Sequence, residues 1–332
     1  YVASLLREMA LRAGMLSEPS CAPTLYFGGG TPSLMDPQLV GRVIDSAAKL
    51  YHLDSEAEIT LEANPGTLTS EKLAGYRSAG VNRLSLGVQS FDDRQLEMLG
   101  RVHSAREALS AYTLARDAGF TNISIDLIHS LPGEGTDMWR AELRKAVALQ
   151  PEHISAYALT LEEGTPLADL VAAGTVALPA ENEAVRQFEL TTELLQGAGY
   201  EQYEISNWAR RDSRGILLAC RHNLQYWRCL PYLGFGAGAH GYANDFRIAN
   251  VLSPQIYIER MTRVELLAHD SKSTAQNLQS SILNQQSSIT NLQFPLTPTT
   301  TQSEKVERYA EMGEVMMMGL RLTDEGVSRK TF

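Results

Sequence analysis

The stretch LYFGGGTPS, residues 25–33, is a short apolar strand that runs directly into three glycines, a hydroxyl residue and a proline. Glycines accept positive φ and carry no side chain, so their peptide N–H and C=O groups can approach a ligand closely. The same pattern is also typical of a tight connection between a buried strand and the helix that begins near Asp36. The surrounding sequence is needed to distinguish a connecting turn from a ligand-binding loop.

Strand-like and helical segments alternate on both sides of this stretch, which is typical of βαβ units with a parallel sheet. The predicted strands are 24–27, 58–62, 83–87, 122–128 and 153–159, and the predicted helices are 1–13, 36–51, 69–79, 105–118, 137–149 and 181–196. The first helix is counted as the partner of a strand upstream of Tyr1. The sequence therefore predicts an α/β fold, a partial (open) β/α barrel of about six parallel strands whose first strand is missing.

Changes in composition divide the chain into four predicted parts. The barrel is assigned to residues 1–200, and a C-terminal α+β extension that contains the segment HNLQYW to residues 201–268. Residues 269–303 are rich in Ser, Gln, Asn and Thr, which is typical of a mobile insertion or linker. Residues 304–332 are predicted to be the start of a truncated, helical C-terminal region.

The charge of the chain restricts its partners. The formal net charge of −10 argues against nucleic-acid binding, which needs a basic face. The sequence has no apolar run of about eighteen residues and no signal-peptide pattern. We therefore predict a cytoplasmic protein with no transmembrane segment, whose partners are small molecules or proteins; peripheral contact with a membrane stays open.

Polar side chains lie at or near the ends of consecutive predicted strands. Glu62, Gln89 and Asp126 join residues 28–31 there, and each alone could cap a helix or satisfy a loop carbonyl. In β/α barrels, however, the chemistry lies at the carboxyl ends of the strands. A ligand with an ammonium group, hydroxyls and a carboxylate would supply their partners, with Arg101 for the carboxylate.

Residues 200–241 are rich in aromatic residues, histidine and glycine. One interpretation is a strand whose small residues allow close backbone packing, together with a core tryptophan. The other is a surface for a flat apolar ligand, with His222 as an axial metal ligand. Spacing alone leaves both open.

Five segments in a fixed order carry a family resemblance: YFGGGTPS, LEANP, RLSLGVQSFDDRQLEMLGRVHS, ISIDLIHSLPGE and EHISAYALTLEEGTPL. They resemble the radical S-adenosylmethionine enzymes of the oxygen-independent coproporphyrinogen III oxidase family. Four later segments resemble its haem chaperone branch more than the true oxidase: YEISNWAR, RHNLQYW, GFGAGAHG and GLRL. The resemblance covers residues 1 to about 243 and residues 319–327.

This resemblance implies S-adenosylmethionine, a 4Fe-4S cluster and haem as cofactors. The residues implied to contact S-adenosylmethionine are Gly29, Gly30, Thr31, Glu62, Gln89, Arg101 and Asp126. By charge, Glu62 is expected to bind the ammonium group, Arg101 the carboxylate, and Gln89 or Asp126 the ribose hydroxyls. His222 is the candidate haem contact, supported by Tyr226 and Trp227.

The implied function is a haem chaperone that binds haem and S-adenosylmethionine and delivers haem to acceptor proteins. One alternative is a coproporphyrinogen III oxidase that decarboxylates propionates through a radical, and another is a non-catalytic scaffold with a vestigial pocket. The haem chaperone interpretation implies a radical-enzyme fold without coproporphyrinogen oxidase activity, and no residue is assigned a catalytic role.

One departure from the family pattern concerns the cysteines. Cys21, Cys220 and Cys229 do not have the CxxxCxxC spacing. Three thiolates with that spacing hold a 4Fe-4S cluster and leave one iron open for the methionine groups. Because the sequence begins inside a predicted helix, we expect a fragment whose cluster cysteines lie upstream of Tyr1. The alternative is a degenerate homologue without a cluster.

Overall fold

The computed structural model describes residues 1–16, 21–270 and 296–328. The longer helices are α1 (Val2–Ala13), α2 (Pro37–Tyr51), α3 (Ser70–Ser78), α4 (Asp93–Met98), α5 (Ala105–Asp117), α6 (Thr136–Ala148), α7 (Pro166–Ala172), α8 (Glu181–Gly197), α9 (Arg221–Trp227), α10 (Pro254–Asp270) and α11 (Arg308–Gly319). The strands are β1 (Ala22–Phe27), β2 (Leu53–Ala63), β3 (Arg83–Gln89), β4 (Ile123–His129), β5 (His153–Ala158), β6 (Glu201–Glu204), β7 (Asn207–Ala209), β8 (His240–Ala243), β9 (Phe246–Asn250) and β10 (Thr300–Lys305).

The first sheet has seven strands in the order β1-β2-β3-β4-β5-β7-β6. Strands β1 to β5 pair in parallel, and β7 and β6 extend the sheet in antiparallel pairing. The second sheet is antiparallel, in the order β10-β9-β8. The prediction of a partial, open β/α barrel with a C-terminal α+β extension is confirmed, with five parallel strands in the described part of the chain.

The predicted helices of the barrel begin where their capping residues indicate. The side chain of Asp36 accepts a hydrogen bond from the backbone N–H of Gln38 at 2.7 Å, and Pro37 occupies the first helical position. Ser104 and Glu107 form a reciprocal capping box at the start of α5. Local capping residues of this kind allow the starts of the barrel helices to be predicted from the sequence.

The two faces of the parallel strands differ in polarity because side chains alternate along a strand. In β3, Leu84, Leu86 and Val88 are buried in the hydrophobic core against the helices. Arg83 and Ser85 alternate with them and point to the inner face of the half-barrel. Barrel interiors are usually filled with branched apolar side chains. The polar inner face here is therefore suited to a polar ligand.

A buried carboxylate joins the first helix to the second sheet. Glu8 is 0% exposed and pairs with Arg12 at 2.7 Å within α1. Its carboxylate also accepts hydrogen bonds from Asn250 Nδ2 at 2.8 Å, Tyr257 Oη at 2.7 Å and the Gly236 N–H at 2.9 Å. These partners belong to β9, α10 and the segment before β8, so one side chain fixes the extension to the barrel.

Most of the predicted 269–303 insertion lies outside the described residues. Its end is described: β10 begins at Thr300 and pairs with β9. Because residues 300–305 form this strand, the following helix begins at Arg308, later than the expected residue 304. No helix in the described ranges is long and apolar enough to cross a membrane.

Candidate functional site

A cleft of about 800 Å³ lies on the inner face of the half-barrel, and we call it the lumen cleft. Parallel strands bring their carboxyl ends to one edge, so residues far apart in sequence meet there. The predicted S-adenosylmethionine residues that line it are Gly30, Thr31, Glu62, Gln89, Arg101 and Asp126. Gly29 precedes Gly30 in the same turn. The structure thus brings the predicted set together at one site.

The glycine turn presents bare backbone. Gly29 and Gly30 have φ values of +78° and +118°, and a Cβ on either would meet no atom within 4 Å, so space is open beside them. Gly28 is restricted instead: a Cβ there would lie 2.7 Å from the Tyr26 ring and 3.0 Å from Glu62 Oε1. The first glycine is needed for close packing, and the next two for left-handed backbone beside open space.

Glu62 and Asp126 are carboxyl groups without a cationic partner. Glu62 Oε1 accepts a hydrogen bond from Tyr26 Oη at 2.8 Å, and Asp126 accepts from Ser85 at 2.9 Å and Ser124 at 3.1 Å. No Lys, Arg or His nitrogen of the described chain lies within 4.0 Å of either carboxylate.

Burial raises the pKa of both carboxyl groups. In Glu62 the charge of Asp126 adds to the rise, while hydrogen bonds from Tyr26 and the Gly29 backbone oppose it. In Asp126, hydrogen bonds from serines and the charge of Arg83 oppose it. A cationic ligand would stabilise both groups in their ionised form.

Arg101 is positioned beside Gln89 but keeps free hydrogen-bond donors. Its Nη2 donates to the Gly87 carbonyl at 3.3 Å, whereas its buried Nε has no partner. Burial lowers the pKa of Arg101. Gln89 has a φ of +67°, a left-handed conformation that non-glycine residues seldom adopt and that often marks functional sites. A ligand carboxylate would give the guanidinium its missing acceptor.

We expect Gly87→Ala to weaken S-adenosylmethionine binding while the protein stays folded. A Cβ at this position would lie 3.0 Å from Gln89 Nε2 and 3.3 Å from Arg101 Nη2, so both side chains must shift. Loss of one well-aligned charged hydrogen bond corresponds to about a tenfold drop in affinity, measurable by calorimetric titration. The matched control is Gly313→Ala in α11, where a Cβ meets nothing within 4 Å. Equal affinities of the two variants would contradict the expectation.

Binding of S-adenosylmethionine is expected to weaken as the pH falls through the raised pKa values of Glu62 and Asp126. The raised pKa values of Glu62 and Asp126 mean that protons compete with a cationic ligand at a higher pH than at ordinary carboxyl groups. Affinity should therefore increase with pH until both groups are ionised, and binding near those pKa values should release protons. Titrations in two buffers of different ionisation enthalpy measure that release. Glu62→Gln should flatten the profile, and an unchanged slope would refute the assignment.

The predicted haem residues lie on α9, behind the wall of the lumen cleft. His222 Nδ1 is 2.9 Å from Thr24 Oγ1 and its Nε2 is 3.1 Å from Tyr226 Oη. Its ring stacks on Tyr26 at 4.7 Å, and burial lowers its pKa to about 4. His222 is therefore neutral, with both ring nitrogens engaged, and binding iron would require it to release one of these hydrogen bonds.

Trp227 lies on another side of α9. The Arg321 guanidinium stands over its ring at 4.4 Å, and Arg321 also pairs with the fully buried Glu204 at 2.9 Å. Arg321 itself lines the lumen cleft, as does Asn223 of α9. The C-terminal segment thus reaches the cleft through one arginine.

Sequence reasoning missed several lining residues: Tyr26, Arg83, His153, Tyr157, Asn223 and Arg321. The signal for Arg83 was present in the segment RLSLGVQ, where every second residue faces inward. Arg321 gave no comparable local signal, because its contact with Glu204 joins positions 117 residues apart.

The described residues contain no group of three or more His, Cys, Asp or Glu side chains that could hold a metal ion. Cys21 is exposed, Cys220 is buried and Cys229 is half-buried. The residues described here therefore fit S-adenosylmethionine, through the open glycine turn and the unpartnered Arg101 Nε, but they do not fit a 4Fe-4S cluster.

Comparison with family models matches residues 5–146 to the Radical SAM superfamily. A curated relative, "Heme chaperone HemW" of Bacillus subtilis, is 34% identical over the whole chain, which covers 78% of that protein. The mouse "Radical S-adenosyl methionine domain-containing protein 1, mitochondrial" is 42% identical over 66% of this chain. The chain spans about half the length of this mouse relative, 48%.

Among solved structures, the chain is similar to coproporphyrinogen III oxidase (HemN) from Escherichia coli. The TM-score is 0.69 at 19% identity, over 97% of this chain and 68% of that one. At this identity the similarity shows a shared fold.

Proposed function

The chain belongs to the radical S-adenosylmethionine superfamily and, within it, to the HemW family of haem chaperones, and from this premise we propose that it binds haem and S-adenosylmethionine and delivers haem to acceptor proteins. The observation that carries the proposal is the lumen cleft, where an open glycine turn, two unpaired carboxyl groups and an unsatisfied arginine converge. These groups complement a ligand that carries an ammonium group, hydroxyls and a carboxylate.

The proposed contacts follow from charge. Glu62 binds the ammonium group, Arg101 binds the carboxylate, and Gln89 or Asp126 binds the ribose hydroxyls, while Gly29, Gly30 and Thr31 contact the methionine part. S-adenosylmethionine bound beside a 4Fe-4S cluster is the radical source of this superfamily. The chain's own residues hold and orient the ligand through these contacts.

Haem binding is tested by titration followed in the Soret band. We expect a saturable spectral change at one haem per chain and a measurable transfer of haem to an apo-acceptor. A chain that binds S-adenosylmethionine but shows no saturable haem binding would contradict the chaperone proposal and leave the radical-family ligand site intact.

The alternative function is that of a coproporphyrinogen III oxidase, and the Escherichia coli oxidase shares the fold of this chain. Incubation with coproporphyrinogen III under anaerobic, reducing conditions separates the two functions, because an oxidase converts propionates to vinyl groups and a chaperone does not. We expect no vinyl product. Formation of that product would replace the chaperone proposal with an oxidase. A chain that binds neither S-adenosylmethionine nor haem would support the vestigial scaffold.

His222→Ala is expected to change the Soret spectrum and weaken haem binding if His222 ligates the iron. The neutral ring, with a pKa lowered to about 4, is in the form that can coordinate a metal. His240→Ala is the control, because His240 is exposed on β8. If His222→Ala matches the wild type in spectrum and affinity, His222 is a packing residue held by Thr24 and Tyr226.

A further inference from the structure

Arg83 is a buried arginine without an ion pair. It is the first residue of β3, is 1% exposed, and lines the inner end of the lumen cleft. Its Nε has no hydrogen-bond partner, and no carboxylate of the described chain lies within 4.0 Å of its guanidinium. An unpaired buried charge costs several kcal/mol, and arginine remains protonated rather than neutralise. The fold therefore retains a cation that lacks an acceptor.

A second unsatisfied group lies beside it. Thr60 of β2 pairs in register with Arg83, is 0% exposed, and its Oγ1 has no hydrogen-bond partner. Residues paired in neighbouring parallel strands point to the same face of the sheet, about 5 Å apart. Two residues further along these strands, Glu62 and Ser85 form the next pair that points to the inner face, and both line the lumen cleft. Two buried hydrogen-bond donors are thus neighbours on the inner face of the sheet, and Arg83 lines the cleft there.

Among the described residues, the acidic groups nearby form hydrogen bonds with other residues and no ion pair with Arg83. Glu58 accepts hydrogen bonds from the backbone N–H groups of Arg221 and His222, both at 3.1 Å. Asp126 accepts from two serines. Burial alone would lower the pKa of Arg83, but the acidic neighbours Cys220 and Glu58 raise it. Arg83 therefore stays charged, and its Nε has no hydrogen-bond acceptor among the described residues.

We propose that Arg83 and Thr60 form a carboxylate subsite at the inner end of the lumen cleft, which takes a carboxylate of the molecule carried there. A guanidinium binds a carboxylate through two parallel hydrogen bonds, and the Thr60 hydroxyl adds a third donor. The inference rests on the proposed function, because haem carries two propionates. Since Arg101 is assigned to the carboxylate of S-adenosylmethionine, a haem propionate is the favoured occupant.

The test compares haem with haem dimethyl ester, which keeps the macrocycle and iron but loses both charges. In the wild type we expect haem to bind at least about tenfold more tightly than the diester, the effect of a charged hydrogen-bonded pair. In Arg83→Gln the two ligands should bind within about twofold of each other. Arg83→Lys should restore part of the preference, because it keeps the charge but not the bidentate geometry.

Thr60→Val provides an independent variant, because it removes only a buried hydroxyl and preserves shape. It should reduce the preference for haem by a few-fold even if Arg83→Gln proves unstable. Arg144→Gln on the exposed face of α6 removes one positive charge elsewhere and should leave the preference unchanged.

Titration of the same variants with S-adenosylmethionine identifies the source of the carboxylate. Unchanged S-adenosylmethionine affinity with a lost haem preference supports the propionate. A loss confined to S-adenosylmethionine supports the subsite with the amino-acid carboxylate as occupant. If both ligands bind Arg83→Gln and Thr60→Val as they bind the wild type, only water satisfies these groups and the subsite is refuted. If the wild type binds no haem, the proposed function is refuted, and so is a haem propionate as the occupant of the subsite.

Discussion

Replacing Arg101 by glutamine is expected to weaken S-adenosylmethionine binding by about ten- to a hundredfold. The change removes the positive charge of the Arg101 guanidinium, which lies beside Gln89. Its Nη2 donates a hydrogen bond to the Gly87 carbonyl at 3.3 Å, and its buried Nε has no hydrogen-bond partner. Hydrogen bonds to charged groups contribute about 1.5–3 kcal/mol each, which converts to this range. Calorimetric titration or equilibrium dialysis gives the dissociation constants directly.

The matched control for this prediction is Arg106→Gln. Arg106 is exposed on α5, so its replacement changes net charge by the same amount and should leave affinity within about twofold. Glu62→Ala tests the contact with the ammonium group of S-adenosylmethionine. It should weaken binding by a similar factor, because it removes the proposed partner of that group. Near-normal affinity in both Arg101→Gln and Glu62→Ala would refute the charge-based assignment of their roles.

The polar inner face of the barrel shows what the sequence could predict and what it could not. The glycine turn, Glu62 and Asp126 were recognisable because each follows or interrupts an apolar strand. A polar side chain there is expected to need a hydrogen-bonding or charged partner. Arg83 was overlooked because a charged residue at the start of a strand is usually a solvated end. It lines the same cleft as Cys220 and Asn223, which lie far along the chain.

Segment 220–227 shows a second limit of sequence reasoning. For residues 200–241 the sequence left open a strand with small residues and a core tryptophan or a ligand surface, and the structure places the HNLQYW residues in the seven-residue helix α9. A helix places residues four apart on one face, so His222 packs against Tyr226 and also stacks on Tyr26. Asn223, on another side of the helix, reaches the cleft. The local sequence indicated aromatic contact but not which side of the helix faces the ligand.

The C-terminal segment contributes to the lumen cleft by contacts that no local pattern predicts. Leu322 forms an isolated bridge with Glu204, and Arg321 spans from that carboxylate to the face of Trp227. Because Glu204 also accepts hydrogen bonds from the Ser206 N–H and from Asn207 Nδ2, its position is fixed from two sides. The position of the GLRL segment therefore affects the shape of the lumen cleft.

Glu8→Ala is expected to destabilise the protein by about 3–5 kcal/mol, the largest effect on stability that we predict. The substitution takes from Arg12 its buried carboxylate at 2.7 Å and leaves Tyr257 Oη, Asn250 Nδ2 and the Gly236 N–H without their shared acceptor. Glu8 belongs to the predicted polar face of an amphipathic helix, and only its burial under the second sheet makes it indispensable. Urea unfolding followed by circular dichroism measures the change.

Two further variants separate charge burial from loss of packing at this position. Glu193→Ala on the exposed face of α8 should change the free energy of unfolding by no more than about 0.5 kcal/mol. The double variant Glu8→Leu with Arg12→Met should lose less stability than Glu8→Ala, because it removes both charges and refills the space with apolar atoms. If Glu8→Ala instead unfolds at the same urea concentration as Glu193→Ala, the network around Glu8 does not hold the extension to the barrel. In that case the second sheet must be fixed through apolar contacts such as Phe235 on Tyr51, whose rings lie 5.4 Å apart.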